Sequence, residues 1–214
     1  MKKIILVLFF PLGVLAQGGI NIESCIKFHK ENIKSVPSLS EAYRKSFYAG
    51  EYDCFEGALK QPQYANDTVV YNAFIAACFY GKAWRFGKGA EAYLKAVENK
   101  VELDSTTKAL ALYCWVNSIG TIVLPSGTNV IGEKLSNKLD IYFKLFDEMI
   151  AKDRSFVCLR MTVYNKMQNC YEHRNDEMFT KYHNLFVEDK KECDGCCTIN
   201  KNSSFEITNV VKQR

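Results

Sequence analysis

The stretch Cys193-Asp-Gly-Cys196-Cys197 places three thiols within five residues near the end of the chain. Three chemistries use such spacing. With His183 the thiols supply four zinc ligands of the right type, and the C-x-x-C step is present, but the second half-site of a zinc finger is missing. A redox pair needs a C-x-x-C that opens a helix after a strand, and here the charged run "VEDKKE" precedes it. The third chemistry is covalent stapling, which requires an oxidising compartment. The vicinal pair Cys196–Cys197 could close on itself only as a strained ring, so separate partners are expected.

The other end of the chain bears on the compartment. "MKKIILVLFFPLGVLA" has a short basic start at Lys2 and Lys3 and an apolar run from Ile4 to Leu15. Small residues at Val14 and Ala16 stand before Gln17. This is the pattern of a secretory signal peptide over residues 1–16. The apolar run is shorter than the ~20 residues a spanning helix needs. "ALALYCWV" from Ala109 is also too short, so no membrane span is expected after cleavage. A secreted or periplasmic location makes disulfides the favoured use of the nine cysteines. The candidates are Cys25, Cys54, Cys158, Cys170, Cys193, Cys196 and Cys197. Cys78 and Cys114 fall mid-helix on apolar faces and are expected to be buried and reduced.

Little else in the chain suggests catalysis. The three histidines are His29, His173 and His183. His173 and His183 lie in polar surroundings and read as surface residues. No H-E-x-x-H, G-x-S-x-G or phosphate-cradling Gly-Lys-Ser/Thr motif occurs, so no cofactor and no metal is predicted. Asp147 and Glu148 sit on a charge-rich helix and read as a solvated face. Trp84, Arg85 and Phe86 cluster between two predicted helices. They are candidate partner anchors, set against plain burial of the two aromatics at the hairpin end. Asn66 and Asn202 stand in N-x-Ser/Thr sequons. Loss of the signal lowers the formal charge from +4 to +2, which gives no electrostatic support for nucleic-acid binding.

The elements that must position these residues are helical. After the signal only Pro37, Pro62 and Pro125 remain, each at a predicted break. Ser38 and Glu41 form a capping-box pattern, and Gly50 is expected to end that helix, so that 38–60 reads as a hairpin. Asp67 and Asp104 are expected N-caps and Gly81 a stop. Leu135, Leu139, Tyr142, Phe143, Phe146 and Ile150 form a helical stripe. Two further helices follow, over "SFVCLRMTVYNKMQNCY" and "DEMFTKYHNLFVE". About nine helices are expected in all. The fold class is all-α, with antiparallel helical hairpins stacked as a short α-solenoid or irregular bundle. Residues 17–190 form the helical repeat-like domain, and 191–214 form a Cys-rich polar C-terminal tail.

Ala77 and Tyr80, then Gly89, Tyr93 and Ala96, alternate small and aromatic residues, with Gly89 twelve after Ala77. This series resembles the packing signature of the tetratricopeptide repeat, whose small residues let two helices cross closely. The Gly50–Tyr52 step is similar to that repeat's inter-helix turn. Phe55, however, stands where a small residue belongs, and Val101 where a closing proline often stands. The resemblance covers residues 38–101. It implies a non-catalytic scaffold that presents a concave helical face to a protein or peptide partner. Two other functions are consistent with the sequence. One is a periplasmic inhibitor or immunity-type protein with Thr121 to Gly132 as its plug. The other is a small secreted hydrolase with a site around His173, His183 or paired carboxylates.

Overall fold

The computed structural model describes residues 21–32, 41–81, 85–122, 138–172 and 175–193. Among these residues the chain is all helical. The helices are α1 (Ile22–Asn32), α2 (Glu41–Ala58), α3 (Thr68–Tyr80), α4 (Phe86–Glu98), α5 (Ser105–Ile122), α6 (Leu139–Ile150), α7 (Phe156–Tyr171) and α8 (Asp176–Glu192). A short 3-10 turn, Pro62–Tyr64, leads into α3. Residues 1–20 and 194–214 lie outside the described residues, and with them the expected signal peptide, Cys196, Cys197 and Asn202. Helix α8 runs to Glu192, so Lys191 and Glu192, at the head of the expected tail, form its last turn.

The helices pack mainly on chain neighbours. Helix α1 lies on α2, α2 on α3, and α3 on α4 and α5. Helix α5 then meets α6 and α7, and α7 carries α8. Two helices are apolar nearly all round. Val70, Tyr71 and Ala73 through Cys78 of α3 are buried, as are Leu110 through Val116 and Ile119 of α5. A helix without a polar face must be enclosed by others, and these two form the centre of the stack.

The Asp67 and Asp104 caps work as the sequence predicts, and Ser38 of the expected capping box lies outside the described residues. The Asp67 carboxylate accepts from the Val69 and Val70 N–H groups at 2.9 and 3.2 Å. Asp104 accepts from Thr107 N at 2.7 Å. Gly50 does not end a helix. Helix α2 runs unbroken through it, so residues 41–58 are one helix and the expected hairpin turn at Gly50–Tyr52 is absent. Glycine costs about 1 kcal/mol in a helix interior. It stops a helix where the backbone leaves helical geometry, as at Gly81, whose ψ of −157° is extended. Here the cost is offset by Tyr52, Cys54, Phe55 and Ala58, all buried in the turn beyond.

Gly89 of α4 sits where three helices meet. A Cβ there would lie 2.7 Å from Cys114 Sγ on α5 and 2.9 Å from Cys78 Cβ on α3. Ala77 and Ala96 are fully buried near this crossing. Both thiols are free and buried, as their mid-helix positions predict. Burial pushes the Cys78 thiol up to about 12 and Cys114 well above its ordinary value, so neither supplies thiolate near neutral pH.

Gly89→Ala would gain about 1 kcal/mol of helix propensity but lose about 1–3 kcal/mol to overpacking. The net result expected in a thermal melt is a lower Tm, partly restored by adding Cys114→Ala. An unchanged or raised Tm would show that the helices do not meet closely at Gly89. Asp67 supplies a pH-dependent test. Partial burial pushes its carboxyl up, but hydrogen bonds from Lys30 and the Val70 and Val69 N–H groups outweigh that and hold it below its ordinary 3.8. A lowered folded pKa gives stability that is present above the unfolded value and lost as pH falls through the folded one. Asp67→Ala is therefore expected to cost about 1 kcal/mol at pH 7. The Tm gap between wild type and Asp67→Asn should be constant above about pH 5 and close below about pH 3.8.

Candidate functional site

Helices α6 and α8 both lie on α7, one on each side, and between them a groove of about 300 Å³ opens over α7. Its walls are Leu139 and Phe143 of α6 and Met178 and Leu185 of α8, with Tyr164 and Tyr182 beneath. Phe143 stacks on Tyr164 at 5.5 Å between ring centroids, and Tyr164 lies 6.3 Å from Tyr182. The two tyrosines are buried, whereas the four wall residues are only half-buried. Burial pushes both phenols up to about 12, so they stay neutral and present aromatic faces. Asp140 and Lys181 stand at the rim.

One helical turn from the groove's floor, Arg160 lies four residues before Tyr164 on α7. Its guanidinium donates to both carboxylate oxygens of Asp189 on α8, at 2.8 and 2.6 Å, and to Asp147 of α6 at 3.1 Å. Asp189 is buried, so this two-point pair draws α8 onto α7, and Asp147 brings α6 to the same point. The helices converge there and leave the aromatic stretch open.

The residues singled out in the sequence fall elsewhere. Arg85 lies 3.5 Å over the Tyr52 ring and 3.4 Å from Asp53, both on α2. Phe86 packs partly buried against the core, and Trp84 lies outside the described residues. Arg85 is thus held on its own chain by a cation–π contact and an exposed ion pair. His183 is exposed and shares a hydrogen bond with Gln168 at 3.1 Å, whereas His173 lies outside the described residues. Asp147 and Glu148 point apart, Asp147 to Arg160 and Glu148 to Lys108 and Lys152. Hydrogen bonds from those two lysines hold the Glu148 carboxyl below its ordinary range. Among the described residues no group of three His, Cys, Asp or Glu side chains could hold a metal ion. The proposed plug, 121–132, lies outside them from residue 123 onward.

Of the cysteine candidates, Cys25 and Cys54 are joined and tie α1 to α2. Cys158 and Cys193 are also disulfide-bonded. Their own sulfurs stand 3.8 Å apart, so they are not bonded to each other. Cys170 lies in α7 with its side chain outside the described set.

A buried His29–Glu51 pair, like the Arg160 bridge, is a titratable cluster that sequence reading passed over. His29 Nδ1 lies 2.7 Å from Glu51 Oε2, with His29 fully buried against Phe55 and Tyr48. Burial pushes the Glu51 carboxyl up, and the His29 hydrogen bond and charge pull it back only in part. The signal available was position: His29 falls on the same α1 face as Ile22, Cys25 and Ile26. Full burial keeps this pair from any substrate in solution, and it joins α1 to α2.

No protein-family model, curated protein or solved structure matches the chain.

The two ends of the Arg160 bridge should differ sharply. Arg160→Met leaves Asp189 as a buried, unpaired carboxylate and is expected to cost about 3 kcal/mol. Asp147→Asn removes an exposed partner and should cost less than about 1 kcal/mol. Chemical denaturation of the two variants measures this. Equal losses would show that Arg160 does not hold α8.

Proposed function

We propose that this chain is a secreted or periplasmic, non-catalytic binding scaffold built of tetratricopeptide-like helical pairs, and that the groove over α7 takes a peptide segment of a partner protein. The observation that carries this reading is the groove itself. Four large apolar side chains line it half-buried above an aromatic floor. Such a groove offers apolar area and shape, with charged groups only at its rim, which is the chemistry of helix-in-groove and peptide recognition. Its volume lies at the lower limit of ligand sites, about 300 Å³, which suits one or two large side chains of a longer segment. Supporting the compartment are the signal-like start and the cystines. The small residues at the Gly89 crossing support the repeat-like pairing.

Selection of displayed random peptides on the purified protein tests the reading. Peptides are expected whose affinity falls at least tenfold in Met178→Asp or Leu185→Glu. In the wild type, they should slow amide exchange in α6 and α8. Melting curves identify any variant that has lost its fold, and the exchange pattern then decides alone. Failure to select any peptide, or peptides that protect other helices, would overturn the proposal.

A further inference from the structure

Cys158 and Cys193 are each disulfide-bonded, and their sulfurs stand 3.8 Å apart, well beyond the ~2.05 Å of an S–S bond. Each therefore bonds a different cysteine. The chain has nine. Cys25 and Cys54 are joined to each other, and Cys78 and Cys114 are free thiols. Only Cys170, Cys196 and Cys197 remain as partners for the two bonds. Cys170 stands twelve residues after Cys158 on the same helix, α7, a rise of about 18 Å. A disulfide joins Cα atoms no more than about 7 Å apart. Cys193 lies against Cys158, at the first turn of α7. Cys170, in the last turn, is out of reach of both.

We infer that Cys196 and Cys197 are the partners of Cys158 and Cys193, one each, so that two adjacent cystines fasten the chain just past α8 to the first turn of α7. The reach allows it. Cys196 and Cys197 follow Cys193 by three and four residues, which can span up to about 10–14 Å. The place is one where apolar packing gives little. Cys193 is buried with only Val157 and Met161, in a small cluster apart from the main core, edged by Ile150 and Phe186. Beside it the Arg154–Glu192 ion pair is long and exposed, at 3.7 Å. Cross-links here restrict the unfolded chain across the whole α7–α8 hairpin, which a cluster of that size does not achieve by burial. Each bond forms as two thiols give up two protons and two electrons to an external protein disulfide donor, which is reduced to its dithiol. The stretch Cys193 to Cys197 then holds no thiolate for zinc or for disulfide exchange. Cys170 is left without a partner inside the chain.

Peptide mapping of the purified protein tests this, with the chain denatured in a maleimide that blocks free thiols before they exchange. Trypsin is expected to release residues 155–160 joined to 192–201, unlabelled and lacking the hydrogens of two disulfides. Label should fall on Cys78, Cys114 and Cys170. Further cleavage before Asp194 should separate nothing, because Cys158 and Cys193 are both joined to the segment 194–201. Cys170→Ser should give the same cross-linked product. Release of 194–201 at the second cleavage would reveal a direct Cys158–Cys193 bond and overturn the inference. Label on Cys196 or Cys197 would also overturn it, as would a cross-link to residues 167–174, which hold Cys170. So would a zinc ion in the native mass spectrum together with label on all four tail-end thiols.

Discussion

The stack of Tyr142 on Trp115 joins the two halves of this chain. The rings lie 4.3 Å apart and only 4° from parallel. Both side chains are fully buried, and the Tyr142 hydroxyl donates to the Ala90 carbonyl at 2.8 Å. One side chain of α6 thus touches α5 by its face and α4 by its hydroxyl. Without the hydrogen bond the phenol would be a buried, unpaired polar group, which costs about 1–3 kcal/mol. That requirement fixes the rotation of α6, because only one angle satisfies the stack and the hydrogen bond together. Phe143, the next residue, is then turned about 100° away from the core. It becomes a groove wall instead of a core residue, and the site follows from the core register.

The opening between α6 and α8 has a similarly definite cause. Three helices laid side by side would close if apolar contacts alone decided, since each half-buried wall residue gains by further burial. Two features oppose closure. Tyr164 of α7 and Tyr182 of α8 fill the floor with rigid rings, their centroids 6.3 Å apart. The Arg160 bridge sets the separation at the other end, because a guanidinium held by carboxylates on both sides keeps those helices a fixed span apart. A bidentate arginine pair is directional, unlike an apolar contact, and fits this role better than a lysine would.

How much of this was legible in the sequence depended on the range of the interaction. Asp67 and Asp104 were readable because a capping side chain bonds two or three residues on. The stripe through Leu139, Tyr142 and Phe146 was readable because it needs only a 3.6-residue period. Gly50 was misread because a local helix breaker was weighed without the buried Tyr52 and Phe55 that carry the helix past it. Arg160 and Asp189 lie 29 residues apart, and His29 and Glu51 lie 22 apart. Nothing in either neighbourhood marks the partner. Arg85 looked exposed because Tyr52 belongs to another helix. The groove required three helices to be placed at once, which no periodicity encodes.

The ends of the stack follow one rule. A terminal helix in such an array has a neighbour on one side only and buries least. Helix α1 has only Ile26 and His29 buried, and α8 only Tyr182 and Asp189. Apolar burial alone would hold either helix weakly. Each carries the same two compensations. One is a buried charged or hydrogen-bonded pair, His29–Glu51 at α1 and Asp189–Arg160 at α8. The other is a cystine, Cys25–Cys54 at α1 and the bonded Cys193 that caps α8. The free thiols, Cys78 and Cys114, lie in the interior, where packing suffices. Cysteine use therefore tracks the distribution of apolar burial along the chain. Of the thiols that first suggested zinc or redox chemistry, Cys193 caps the helix that forms one wall of the groove, and fastening that helix keeps Leu185 and Met178 in place opposite Phe143.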